Sequence, residues 1–346
     1  MTLVLIVTRS DDNDCIHRVT EALARRGAEA IRFDTDRYPT DVQLTSRWTP
    51  DERSWIWRRG EDRRNLESVG AVWYRRMRVG ADIPLTMEAQ IRKASIEESR
   101  ASLIGTIFSL PVFQMDAYSV VRNASNKQLQ LQAASHFGLE IPRTLVSNDP
   151  DEVREFSRTC ATGMIAKMLS SFHVIDQGVE KVVFTRPVTD DAMNRLESLR
   201  YSPMTFQENI PKKLELRITI VGDRVFTAAV DSRASEKTKD DWRRDGHGLM
   251  DSWRSYSIPD DVCRRLLAVM DHFQLNYGAI DMIVTPDNRH VFLEVNPVGE
   301  YFWLELCPGL KISEAIADVL LDLAPRRNTP QFRRNLGVES QDGTTC

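Results

Sequence analysis

Cysteine is scarce and unpatterned in this chain. Its 346 residues hold five, Cys15, Cys160, Cys263, Cys307 and Cys346, an odd number with no C-x-x-C pair. A disulfide framework and a cysteine zinc site are therefore not indicated, and a reducing cytoplasm is the expected compartment. Long apolar runs are missing too. Leu3–Val7 is too short for the apolar region of a signal peptide and is soon followed by Asp11, Asp12 and Asp14, and no segment reaches membrane-spanning length. Neither sign of charge dominates: 46 Lys and Arg face 50 Asp and Glu, a formal net charge of −4 that gives no global drive toward nucleic acid or membrane. The loop after the first apolar run, Thr8-Arg9-Ser10-Asp11-Asp12, has no G-x-G-x-x-G, which removes support for a dinucleotide-binding fold. No internal repeat stands out. What remains is an ordinary globular composition, 42% hydrophobic, over a length sufficient for two or three compact units.

The most informative stretch is Asn276–Glu300, NYGAIDMIVTPDNRHVFLEVNPVGE. Ala279–Thr285 and His290–Asn296 are rich in β-branched and aromatic residues and flank Pro286-Asp287-Asn288-Arg289, whose residue types favour a turn. A two-residue or a four-residue loop sets Asp281 opposite Glu294. Alternation then directs Asp281, Glu294 and Asn296 to one face, shared with Ile283 and Phe292. Ile280, Met282, Val284, Val291, Leu293 and Val295 take the other, as core. Two carboxylates opposed across a strand pair repel unless a cation lies between them, and an oxygen-only ligand set suits Mg²⁺.

The rest of the chain supplies cations and further strands. Leu3–Thr8, Asp14–Arg26 and Glu29–Phe33 read as a βαβ opening. Val42–Trp48 with Ser54–Arg58 reads as a protruding strand pair, and Ala71–Tyr74 returns to the parallel pattern. The cluster Trp73–Arg78 is a candidate contact for an acidic partner or an ion-paired strand edge. A long helical stretch follows from Pro84 to about Leu110. Asn126–Phe137 reads as a helix with Lys127 in its first turn, where a cation opposes the helix dipole unless an anion is near. Lys167 lies in the short apolar strand Met164–Met168, so it needs an anionic partner. In Leu214–Val221, Glu215 and Arg217 share one face, as a substrate-facing pair or a surface ion pair. After the Gly222-Asp223 turn, Asp231 and Arg233 share another. Ala234–Met250 is polar, with Trp242, Arg243 and Arg244, a functional loop or a surface excursion. Pro259–Gln274 and Ser313–Leu323 read as amphipathic helices.

The Asp…Glu-x-Asn-Pro endings of the hairpin resemble the magnesium site of the ATP-grasp ligases, and the whole chain is similar to the microviridin-type (graspetide) peptide-modifying ligases. The resemblance implies an α/β fold of three-domain ATP-grasp architecture with an N-terminal βαβ (pre-ATP-grasp) domain. Its expected bounds are 1–112 for that domain, 113–200 and 201–325 for the two ATP-grasp subdomains, and 326–346 for a polar tail. Asp281, Glu294 and Asn296 are then the metal ligands. Lys127, Lys167 and Arg217 contact ATP phosphates, Phe206–Pro211 is the adenine hinge with Gln207, Glu208 and Ile210, and Glu215 holds the ribose. Asp231 and Arg233 hold the acidic substrate side chain, and Arg217 also stabilises the developing acyl phosphate. Ser170–Gly178, the expected phosphate loop, is poor in glycine, with Ser170 and Ser171 as substitutes.

The implied activity uses ATP and Mg²⁺ to activate Asp or Glu side chains of a ribosomally made precursor peptide as acyl phosphates. Ser or Thr then closes an ester, the favoured product, or Lys an amide. The implied partner carries a leader segment, expected near Thr219–Met250; a homodimer is an open option. Two rivals stand beside this reading: an ATP-grasp ligase for small molecules or amino-acid addition, and a nucleotide-binding regulator without ligase activity.

Overall fold

The computed structural model describes residues 2–169, 173–176, 179–182, 185–234 and 248–327. The N-terminal unit is built on a parallel sheet of order β2-β1-β6-β7, comprising β1 (Leu3–Thr8), β2 (Glu29–Asp34), β6 (Val69–Tyr74) and β7 (Phe113–Met115). Every residue of β1 is buried, as a strand covered on both faces requires. Helix α1 (Asp14–Arg25) covers one face. Helix α2 (Ala89–Ser109) and a three-stranded antiparallel sheet, β3 (Val42–Trp48), β4 (Arg53–Arg59) and β5 (Asp62–Asn65), cover the other with the buried Trp55 and Trp57. The expected strand pair thus gains a third member.

The central unit is a four-stranded antiparallel sheet of order β12-β9-β13-β8, comprising β8 (Thr144–Ser147), β9 (Met164–Lys167), β12 (Arg186–Pro187) and β13 (Met204–Glu208). It is backed by helix α5 (Pro150–Thr159). Strands β10 (His173–Asp176) and β11 (Val179–Val182) pair separately. Ser170, Ser171 and Gly178 of the expected phosphate loop lie outside the described residues, as do positions 235–247, with Trp242, Arg243 and Arg244, and 328–346. Strand β7 joins the N-terminal sheet just beyond the bound at 112, and β13 joins the central sheet beyond the bound at 200.

The third unit is an antiparallel sheet of order β16-β15-β14-β17-β18: β14 (Leu214–Val221), β15 (Arg224–Val230), β16 (Arg254–Ser255), β17 (Tyr277–Val284) and β18 (His290–Asn296). One face packs on helix α7 (Asp260–Phe273) and on α3 (Tyr118–Ala124) and α4 (Lys127–His136), through Ile218, Ile280, Met282, Leu266 and Ala134. The opposite face meets the N-terminal unit. There Val4, Ile6 and Cys15 share one core with Tyr277, Ala279, Trp303 of α8 (Phe302–Leu306) and Ile316 of α9 (Ile312–Leu320). Asp116 pins this junction. Its buried carboxylate accepts hydrogen bonds from the Asn276 backbone and side chain and from the Tyr277 amide, at 2.7–3.0 Å.

Candidate functional site

The hairpin β17–β18 brings Asp281 opposite Glu294 and Ala279 opposite Asn296, as the alternation predicts. The connecting loop is longer than expected. Val284 pairs with His290, which leaves five residues in the turn, and a bulge between Asp281 and Met282 restores the register at the carboxylates. The bulge corrects the facing of the intervening residues. Phe292 pairs with Met282 and enters the core with α7, while Leu293, expected in that core, lines the cleft. A large aromatic gains more from burial than from the polar face.

Each carboxylate of the hairpin is held by a cation named from sequence. Lys127 Nζ lies 2.9 Å from Glu294, and Arg217 Nη1 lies 3.0 Å from Asp281 Oδ1. Lys127 occupies the first position of α4 because the Asn126 side chain caps the helix, accepting from the amides of Gln128 and Leu129. The anion that a cation there requires is Glu294. Arg217 is 5% exposed. It sits directly across from Asp281 in the β14–β17 ladder, donates from Nη2 to the Glu300 carbonyl at 2.8 Å, and lies 5.7 Å from the Trp303 ring centroid. Glu215, two residues earlier, is paired with Lys212 at 2.7 Å. Arg233 forks onto Asp231 at 2.9 and 2.8 Å, and this pairing holds the Asp231 carboxyl below the usual carboxylate range.

Lys167 and Gln207 belong to the central sheet, where Lys167 stands opposite Thr205. A narrow cleft between this sheet, α4 and β18 is lined by Lys127, Lys167, Thr144, Thr205, Gln207 and Leu293. Gln207 is buried and donates from Nε2 to Thr144 Oγ1 at 2.9 Å. Glu208 ends β13, and Ile210 follows it, half-buried. The buried Thr205 Oγ1 in the cleft and Arg217 Nε both lack a hydrogen-bond partner among the described residues. A buried hydroxyl of this kind requires explanation, and a polar ligand entering the cleft supplies one for Thr205. Cys15 is no nucleophile here. Burial, with Glu300 beside it, pushes its thiol up to about 12, against the pull of Arg75.

The donor chemistry of the hairpin fits Mg²⁺: two carboxylates and an amide oxygen, all hard ligands. Among the described residues no group of three His, Cys, Asp or Glu side chains is placed to hold a metal ion; Asn296 ends β18, exposed, and its Oδ1 accepts from the Val298 amide at 3.1 Å.

Of the two readings of the Trp73–Arg78 cluster, an acidic-partner contact or an ion-paired strand edge, the structure shows the ion-paired one at Arg75 and Arg76. Arg75 is 1% exposed and reaches across to the C-terminal unit, pairing with Asp12 at 3.2 Å and Glu300 at 3.1 Å. Arg76 also pairs with Glu300. The expected leader-contact stretch begins at Thr219, which is fully buried. Lys212, Gly299 and Glu300 escape the sequence reading. Their only signal is position, Lys212 just after Phe206–Pro211 and Gly299 and Glu300 just after Asn296-Pro297.

A parallel α/β unit, an antiparallel central sheet and a third antiparallel sheet, with basic side chains between the last two, define an ATP-grasp architecture. The MvdD pre-ATP grasp domain family matches residues 3–122. The macrocyclase MdnC from Microcystis aeruginosa, solved with precursor peptide MdnA, is 48% identical over 93% of this chain and 100% of that chain, with a TM-score of 0.85. A RiPP-associated ATP-grasp ligase of Chryseobacterium gregarium, solved with ADP and a leader and core peptide, is 39% identical over 95% and 99%, with a TM-score of 0.91. Macrocyclase MdnB of Microcystis aeruginosa is 35% identical over 92% and 98%, with a TM-score of 0.78. No curated protein matches the sequence. The chain belongs to the graspetide-type ATP-grasp ligases.

Proposed function

We propose that the protein is an ATP-dependent carboxylate ligase that closes side-chain macrocycles in a ribosomally made precursor peptide. The observation that carries this reading is the pairing of Lys127 with Glu294 and Arg217 with Asp281, beside a cleft that also holds Lys167 and the unpartnered Thr205 hydroxyl. The similarity to two peptide macrocyclases and a leader-and-core complex supports the substrate class. The ADP in one of those complexes supports the nucleotide.

In this reading, a peptide Asp or Glu carboxylate attacks the γ-phosphorus of ATP. A P–O bond forms, the bond to the β-phosphate oxygen breaks, and ADP leaves. A Ser or Thr hydroxyl oxygen then attacks the acyl carbon; phosphate departs and the hydroxyl proton passes to phosphate or water. Lys127, Lys167 and Arg217 hold the phosphates, and the fixed fork of Arg217 suits the spread charge of the transferring group. Gln207, Glu208 and Ile210 hold the adenine end and Glu215 the ribose. Arg233, steadied by Asp231, holds the substrate carboxylate. Asp281, Glu294 and Asn296 are the residues that would hold Mg²⁺. The ion would neutralise phosphate charge when bound.

The leader segment of the precursor lies against the strands and charged loop around Thr219–Met250, and the cytoplasm is the proposed compartment, on the four free cysteines of the described residues. The test is ADP release that depends on precursor, with the peptide losing one water per ring. ADP release without peptide, or with free amino acids alone, would favour the small-molecule ligase.

A further inference from the structure

The N-terminal unit reaches the 298–300 turn through the buried Arg75, with Cys15 and Arg76 beside it on Glu300. Arg75, at the end of β6, donates from Nη1 to the Gly299 carbonyl at 3.1 Å and to Val298 at 3.4 Å, and from Nη2 to Glu300 at 3.1 Å. It is fixed from behind by both oxygens of Asp12, at 3.2 and 3.3 Å, and by the Trp73 ring, 5.3 Å away. Tyr277 Oη donates to the same Gly299 carbonyl at 2.6 Å. The next carbonyl, that of Glu300, receives Arg217 Nη2 at 2.8 Å, and Arg217 grips Asp281. Arg217 also crosses Gly299 so closely that a Cβ there would lie 2.6 Å from Nη2. The backbone 298–300 is therefore a template clamped on one side by Arg75 and Tyr277 and presented on the other to Arg217.

The geometry points to Arg75 as a positioning residue, which through the 298–300 backbone sets the aim of Arg217 toward the transferring phosphate. This inference rests on the nucleotide reading of the cleft. A buried Arg–Asp pair could be a domain staple alone, but a staple does not require three acceptors from one turn beside a reactive side chain. Lys at position 75 keeps the charge opposite Asp12 but cannot fork onto Asp12, the Val298 and Gly299 carbonyls and the Glu300 carboxylate together.

The experiment measures binding of AMP and of a non-hydrolysable ATP analogue with Mg²⁺, by calorimetric competition, in wild type, Arg75→Lys, Arg217→Lys and the double variant. Arg75→Lys should weaken the triphosphate analogue about tenfold and leave AMP within about twofold, since the hinge lies on another sheet. In the Arg217→Lys background the Arg75→Lys effect should fall below about twofold, the mark of action through Arg217. Equal weakening of both nucleotides, or a full effect in that background, overturns the inference and leaves the nucleotide reading intact. A wild type that binds the triphosphate analogue no better than AMP defeats the reading itself and the inference with it. Should Arg75→Lys fail to fold, Tyr277→Phe removes the second clamp on the Gly299 carbonyl and should show the same selective loss, about threefold; no selective loss overturns the inference.

Discussion

Gly299→Ala adds a methyl group where the structure has no room for one. The new Cβ would stand 2.6 Å from Ala279 Cβ, 2.6 Å from Arg217 Nη2 and 3.3 Å from Asn296 Cβ. Ala279 is fully buried in β17 and cannot retreat, so Arg217 must move. Overpacking of this kind costs about 1–3 kcal/mol, and loss of the charge-assisted bond to the Glu300 carbonyl about 1.5–3 kcal/mol. Partial relaxation brings the stability loss to about 2–5 kcal/mol, or roughly 3–7 °C in melting temperature for a chain of this size. If Arg217 acts in the transition state, a misplacement worth about 1.4–2.8 kcal/mol lowers kcat about 10- to 100-fold. Thermal melts and precursor-dependent ADP release measure the two separately. A variant that melts lower yet keeps full kcat would refute the link from Gly299 to Arg217, and an unchanged melt would refute the packing argument.

Glu294→Gln should abolish turnover while leaving the fold intact; near-normal rates at limiting Mg²⁺ would contradict the ligand assignment. Arg233→Ala should raise the KM for peptide about tenfold or more and leave that for ATP within about twofold, as expected for one lost charge-assisted contact; loss of ATP affinity with peptide kinetics retained would move Arg233 to the nucleotide site. Burial pushes the Asp116 carboxyl up to about 6, against the pull of the Asn276 and Tyr277 N–H donors. The folded state therefore favours the proton, and this contribution, present in full below the ordinary carboxylate value, is lost as pH rises through 6, by about 3 kcal/mol in all. The penalty of Asp116→Asn, read from denaturant unfolding, should accordingly shrink between pH 4 and 6.5, and a penalty that grows would contradict it.

The sequence makes the hairpin legible because its constraints agree: β-rich runs, a polar turn, and the oxygen-bearing Asp281, Glu294 and Asn296 falling on one face. Period-2 alternation cannot show the bulge, since one extra residue leaves both flanks in phase with themselves. Phe292 and Leu293 exchange faces for that reason. Strand β5 is invisible for another. Its residues Asp62-Arg63-Arg64-Asn65 carry no apolar alternation, and β4 recruits them through the backbone ladder. Lys127 is legible because a cation at a helix start declares its need for an anion. Arg75 shows the same need, but nothing local says that its acceptors lie more than two hundred residues downstream.

The ion pairs of the site span a range of burial, with Arg217–Asp281, 6% and 16% exposed, near the buried end. Asp12 and Arg75 are 2% and 1% exposed at their side chains, whereas Arg233 and Asp231 are 51% and 45% exposed, with Lys127 and Glu294 between. Removing one partner of a buried pair strands the other charge and costs about 3–5 kcal/mol, while an exposed pair is worth about 0–1 kcal/mol. The exposed Arg233–Asp231 pair therefore contributes little to holding the fold, and Arg233 can exchange its carboxylate for a substrate carboxylate at small cost. The Asp12–Arg75 pair cannot exchange in this way, which suits a clamp. Melting temperatures should follow this order. Arg233→Ala should melt within about 2 °C of wild type, while Asp12→Ala, which leaves the buried Arg75 with Glu300 as its remaining carboxylate, should fall by about 4 °C or more. If Asp12→Ala melted like wild type, Arg75 would have found solvent or another anion, and the clamp would have no fixed end.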